Sequence, residues 1–101
     1  MAHGYVVVDV DITNLEAFKN YMAEAPAAIK AFGGEYLARG GRLEVLEGGW
    51  TPPRMTLLRF PSFDAARQWY DAEQYRQARA KRAGATAHFN MVLVEGLDTP
   101  V

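Results

Sequence analysis

The chain has no cysteine among its 101 residues. Disulfides, thiolate nucleophiles and cysteine-held metals are therefore excluded at once. Histidine occurs only as His3 and His88, without the close spacing from which local zinc motifs are built. No metal and no tightly held cofactor is expected. Neither sign of charge predominates: eleven basic and twelve acidic side chains leave a net charge of −1. Nothing in that balance marks nucleic acid or an anionic membrane as a partner. No apolar run approaches the roughly 20 residues that cross a bilayer. The start, Met1-Ala2-His3-Gly4, has no basic segment leading an apolar one, so no signal peptide is expected. Together these absences predict a cytoplasmic protein. The glycines follow neither the phosphate-cradling nor the dinucleotide-binding pattern.

Half of the residues are apolar, enough for one core at this length. A single domain over 1–101 is predicted, with its core at about 4–96 and a short polar tail. Three apolar runs dominate it: Tyr5-Val6-Val7-Val8, Met55-Thr56-Leu57-Leu58 and Met91-Val92-Leu93-Val94. A half-exposed strand alternates apolar and polar side chains, because successive residues point to opposite faces. These runs do not alternate, so both faces of their sheet should be covered. One domain of this size covers one face with its own helices. A second copy of the chain is the expected cover for the other, which predicts a homodimer.

Residues Tyr5 to Asp11 read as the first strand, with Val6, Val8 and Val10 on one face and Tyr5, Val7 and Asp9 on the other. Thr13 and Glu16 have the spacing of a capping box. Leu15, Phe18, Met22, Ala25 and Ile29 then form a helical stripe, with Tyr21 beside it. Pro26 is expected to kink that helix or open a second segment, and Gly33-Gly34 to stop it. Glu35–Arg39 and Arg42–Glu47 are strand-like, divided by Gly40-Gly41, a hairpin turn or a bulge within one bent strand. A loop carrying Trp50 leads to a strand over Arg54–Phe60. Ser62 suits an N-cap for a helix whose apolar side is Phe63, Ala66, Trp69 and Tyr70. Asp71 and Gln74 suggest a further capping box and a helical segment from Ala72 to about Ala83. Thr86–Glu95 reads as the last strand.

The order β-α-β-β-α-β is the ferredoxin-like α+β pattern, an antiparallel sheet with helices on one face. Two such sheets packed face to face form a dimeric α/β barrel. Several segments in order, among them Tyr36-Leu37-Ala38-Arg39-Gly40-Gly41, Phe60-Pro61-Ser62, Ala66-Arg67-Gln68-Trp69-Tyr70 and Val92-Leu93-Val94-Glu95-Gly96, extend a resemblance over almost the whole chain. With Val45-Leu46-Glu47-Gly48 and Glu73-Gln74-Tyr75, they resemble the bacterial family called domain of unknown function 1330, of the dimeric α/β-barrel superfamily. That resemblance implies the ferredoxin-like fold and a homodimer. It implies no reaction, since the family has none assigned and the superfamily's catalytic signatures do not match these residues.

His88, inside the last strand and sharing a face with Asn90, Val92 and Val94, is a candidate general acid or base. Tyr21 is a candidate hydroxyl lining a cleft between helix and sheet. Asp9, a carboxylate in an apolar strand, is a candidate for a perturbed pKa. Arg39 and Arg54 either clamp a ligand carboxylate or pair with Asp9, Glu35, Glu44 or Glu47. Trp50 either covers a pocket mouth or seals the dimer edge, and Trp69 is a candidate aromatic wall that also fits an ordinary core position. Three function classes are compatible with these residues. They are a small enzyme acting without cofactor on an aromatic or carboxylated metabolite, a non-catalytic small-molecule-binding module, and a dimeric structural or interaction protein.

Overall fold

Strand β1 (Gly4–Ile12) runs between two antiparallel neighbours and organises the molecule. The computed structural model describes residues 2–101. Val6, Val8 and Val10 are buried beneath the helices, and the alternate residues turn to the opposite face, as the two-residue period requires. The sheet has the order β2-β3-β1-β4, with β2 (Glu35–Arg39), β3 (Met55–Phe60) and β4 (Thr86–Glu95). Helices α1 (Leu15–Ala31), α2 (Phe63–Asp71) and α3 (Glu73–Ala80) complete the ferredoxin-like α+β fold.

Helix α1 starts one residue later than the sequence suggests. Asn14, not Thr13, is the N-cap, and its side-chain oxygen accepts from the Ala17 N–H at 3.1 Å. The backbone N–H groups of Thr13 and Asn14 both donate to the Ala85 carbonyl, at 2.9 and 3.1 Å. Those bonds tie residue 13 to the turn before β4, and Glu16 pairs with Lys19 instead of closing a box. Pro26 opens no second segment: α1 is one helix of 17 residues. Ala25, Ala28 and Ile29 are buried on either side of Pro26, and their packing offsets the one backbone bond it forfeits. The buried stripe is Phe18, Tyr21, Ala25, Ala28 and Ile29, whereas Leu15 stays half-exposed. Gly33, at φ +78°, makes the left-handed stop, and the Gly34 N–H donates to the Ile29 carbonyl at 2.9 Å.

The expected strand over Arg42–Glu47 does not form; residues 41–54 carry no regular structure. Strand β3 meets β2 only from Arg59 to Thr56, after which the Gly40 N–H donates to the Met55 carbonyl. Among the described residues, 42–47 join neither outer strand of the sheet, β2 nor β4. Gly40-Gly41 is thus neither a hairpin turn nor a bulge. The bulge lies earlier, at Leu37, where Tyr36 faces Leu58 and Ala38 faces Leu57.

Ser62 caps α2 as expected, accepting from the Ala65 N–H at 3.0 Å. The capping box expected at Asp71 and Gln74 is absent. Ala72 is the junction, with an extended backbone and no side-chain cap, and Asp71 pairs with Arg67 at 3.1 Å. Helix α3 nevertheless forms as a separate segment, packed along α1. The molecule is only 17 Å thick in its shortest dimension, one helix layer on one sheet. Across the opposite face Leu57, Val92 and Val94 are 36%, 61% and 50% exposed. Among the described residues no helix is long and apolar enough to cross a membrane.

Candidate functional site

A narrow cleft opens between α1 and the sheet. Its apolar walls include Val8, Phe18, Met22, Leu58, Phe89 and Met91, and its polar groups come from Tyr21, Tyr36, Arg39, Arg54 and Thr56. The enclosed volume is about 30 Å³, room for a water molecule or two. The bulge at Leu37 is what brings Arg39 here. A regular strand would send residues 36 and 39 to opposite faces; the extra residue puts both on the helix side. The Arg39 guanidinium stacks over the Tyr36 ring, 4.6 Å from its centroid.

Arg54 returns from the far end of the loop to the same rim. A Cβ built on Gly40 would lie 2.6 Å from the Arg54 guanidinium carbon, so that side chain rests directly on the Gly40 backbone. Gly40 also holds φ +64°, a region that glycine enters at no steric cost. Among the described residues neither Arg39 nor Arg54 has a carboxylate within ion-pair distance. Glu35, one partner considered from sequence, is taken by Arg59.

Tyr21 borders the cleft and is nine-tenths buried. Its Oη lies 2.7 Å from the Tyr75 Oη, and Tyr75 in turn accepts from Arg82 at 3.3 Å. The Arg82 guanidinium packs over the rings of Phe89 and Tyr21, at 3.7 and 4.9 Å. Burial, reinforced by the neighbouring Tyr75, pushes the Tyr21 phenol far above its ordinary pKa. Burial likewise raises Tyr36 against the opposing pull of Arg39, and raises Tyr75 against that of Arg82. All three phenols therefore stay protonated at neutral pH and serve as hydrogen-bonding groups, not bases. The lining contains no aspartate, glutamate or histidine.

The other polar cluster is on the opposite sheet face. Asp9 Oδ1 lies 2.9 Å from His88 Nε2, and Asp9 Oδ2 accepts from the Trp50 indole N–H at 3.1 Å. The hydrogen bond to His88, then that from Trp50, holds the Asp9 carboxyl below its ordinary pKa, against a smaller desolvation effect. An ionised carboxylate only accepts, so Nε2 carries the proton in this bond. Among the described residues no three histidine, aspartate or glutamate side chains converge as a metal cage.

The residues singled out in the sequence thus fall into three places. Tyr21, Arg39 and Arg54 share the cleft; Asp9, Trp50 and His88 share the bare sheet face. Trp69 lies in the core, 4.2 Å from Tyr75 and 4.9 Å from Phe60 between ring centroids. Among the described residues its indole N–H has no partner, and the ring borders a second cleft with Val6, Arg67 and Leu93. Tyr36, Tyr75 and Arg82 were not among the sequence candidates. Tyr75 carried a signal, since it falls on the buried stripe of α3 with Ala78. Tyr36 carried none without the tertiary contacts, and Arg82 only the basic character it shares with Arg76, Arg79 and Lys81.

Solved structures resemble the chain over nearly its full length. The RPA0582 protein of unknown function from Rhodopseudomonas palustris is 16% identical, with a TM-score of 0.77, 97% of this chain and 85% of that one being covered. A dimeric ferredoxin-like protein of unknown function from Thermobifida fusca is 17% identical, with a TM-score of 0.65 and coverage of 95% and 92%. Another, from Jannaschia, is 13% identical, with a TM-score of 0.68 and coverage of 96% and 99%. At these identities the likeness shows the fold. Comparison with curated proteins finds no match. The model of the family named Domain of unknown function (DUF1330) matches residues 3–97, and the chain belongs to that family.

Proposed function

We propose that the chain works as a homodimer and that its helix-side cleft binds a compact, largely apolar carboxylate, a small aromatic acid in the first instance. The observation that carries this reading is the pair of guanidiniums, Arg39 and Arg54, at the rim of an apolar cleft, without a carboxylate partner among the described residues. Two cations lining one cleft favour a shared anion, and guanidinium recognises carboxylate in bidentate geometry. The apolar walls contribute the burial of a hydrophobic body. Met22 and Met91, unbranched and flexible, are the walls that yield to admit it.

Binding fits these groups better than proton abstraction does. Without a carboxylate or imidazole in the lining, the cleft has no general base of its own. Its cations and phenols instead stabilise negative charge on a ligand oxygen, whether resident or developing. The homodimer is supported by the bare apolar sheet face and by solved neighbours described as dimeric.

Calorimetric titration with benzoate tests the cleft. Saturable binding by the wild type, weakened about tenfold or more in Arg39→Ala and in Arg54→Ala, is the expected result. Unchanged affinity in both variants, or no binding of benzoate or its substituted analogues, overturns the reading.

A further inference from the structure

The hydrogen-bond chain behind the cleft has a forced direction. Arg82 donates to the Tyr75 Oη at 3.3 Å, and a guanidinium has no lone pair to accept anything back. Tyr75 is fully buried, and its remaining partner is the Tyr21 Oη at 2.7 Å. The Tyr75 proton must therefore lie in the bond to Tyr21. The reverse arrangement, with Tyr21 donating, would leave a buried hydroxyl proton of Tyr75 without an acceptor. Tyr21 thus accepts from Tyr75, and its own proton has no acceptor among the described residues. Tyr21 borders the cleft.

We infer that Tyr21 Oη donates a hydrogen bond to the bound ligand, and that the ligand carries, besides its carboxylate, an oxygen that accepts it. This rests on the cleft being the binding site. The ligand class narrows to aromatic acids bearing a ketone carbonyl or a phenolate oxygen. Hydrogen bonds in series polarise one another, so the Arg82 charge behind Tyr75 strengthens the terminal donor. The same charge lies 4.9 Å from the Tyr21 ring centroid and favours an acceptor that is anionic or strongly dipolar. The two cleft guanidiniums and Tyr21 then act as a two-point gauge, reading carboxylate and acceptor together.

The probes are benzoate and its 3- and 4-acetyl derivatives, whose added carbonyl accepts a hydrogen bond and cannot donate one. At least one acetyl isomer should bind wild-type protein several-fold more tightly than benzoate, by about the worth of one hydrogen bond. Tyr21→Phe should abolish that advantage, so that the acetyl isomer and benzoate bind the variant alike. The ketone stretch of the bound acetyl probe should shift to lower wavenumber in the wild type and return in Tyr21→Phe. An advantage and a shift that survive in Tyr21→Phe overturn the assignment. Proton NMR of the ligand-free wild type decides the direction of the chain without any binding. A slowly exchanging hydroxyl proton at Tyr75, beside a rapidly exchanging one at Tyr21, supports it; the reverse overturns it. Failure of all three probes to bind would remove the cleft reading, while the hydroxyl protons would still test the donor.

Discussion

Asp9 Oδ1 and His88 Nε2 stand 2.9 Å apart across a sequence separation of 79 residues. They meet because β1 and β4 are adjacent in the sheet, with Asp11 opposite His88 and Asp9 opposite Asn90. Trp50 joins them from the irregular loop, so a single carboxylate ties that loop to two strands. The hydrogen bonds to His88 and Trp50 depress the Asp9 pKa below its ordinary value of 3.8.

That depression has a definite sign in stability. A carboxyl with a lowered folded-state pKa adds stability above its unfolded value and loses it as pH falls through the folded value. Wild-type protein should therefore lose denaturation midpoint as the pH falls through and below the ordinary carboxylate value of 3.8. Asp9→Asn should be less stable at pH 7 and lose less on acidification. Parallel pH profiles for the two proteins would remove Asp9 from the acid limb.

The helix cap gives a cleaner test. Asn14→Ala deletes the acceptor of the Ala17 N–H and should cost about 1 kcal/mol by urea denaturation. Thr13→Ala, one residue earlier, should be nearly neutral, because Thr13 contributes its backbone N–H and not a side-chain cap. Equal losses in the two variants would return the cap to Thr13.

Assembly is tested on the bare face. Light scattering of the wild type should give about twice the 11.2 kDa chain mass. Val92, 61% exposed in the single chain, should tolerate aspartate within one fold but not across an interface, where an unpaired charge is buried. Val92→Asp should thus be folded by circular dichroism and monomeric by light scattering. A wild type of single-chain mass would exclude the dimer.

The frame of the molecule was legible because it is written in periodicity. The two-residue alternation of Val6, Val8 and Val10, the Ser62 cap and the stop at Gly33 are local patterns, and each appears where it was read. The face shared by His88, Val92 and Val94 was legible too, but not the partner of His88, since Asp9 arrives by sheet pairing. Arg42–Glu47 misled because strand propensity reports side chains suited to a sheet, not whether the run joins one. The cleft was the least legible part. Arg39 reaches it through one extra residue at Leu37, and by uninterrupted alternation Arg39 would face away. Tyr21 sits one position off the expected stripe, and its bond to Tyr75 joins α1 to α3.

Gly40 offers the sharpest test of the cleft rim. It holds φ +64°, and a Cβ there would lie 2.6 Å from the Arg54 guanidinium. Alanine in the left-handed region costs about 1–2 kcal/mol, and the methyl group would also push the flexible end of Arg54 off its seat. Gly40→Ala should therefore lower stability by about 1 kcal/mol and weaken benzoate binding as Arg54→Ala does. Gly41 is the internal control. It has no positive φ, and a Cβ there would meet nothing within 4 Å, so Gly41→Ala should change neither quantity. If Gly40→Ala lost stability but kept full benzoate affinity, the placement of Arg54 against Gly40 would have no part in binding. Equal effects at both glycines would assign the loss to loop stiffness and leave the rim geometry without support.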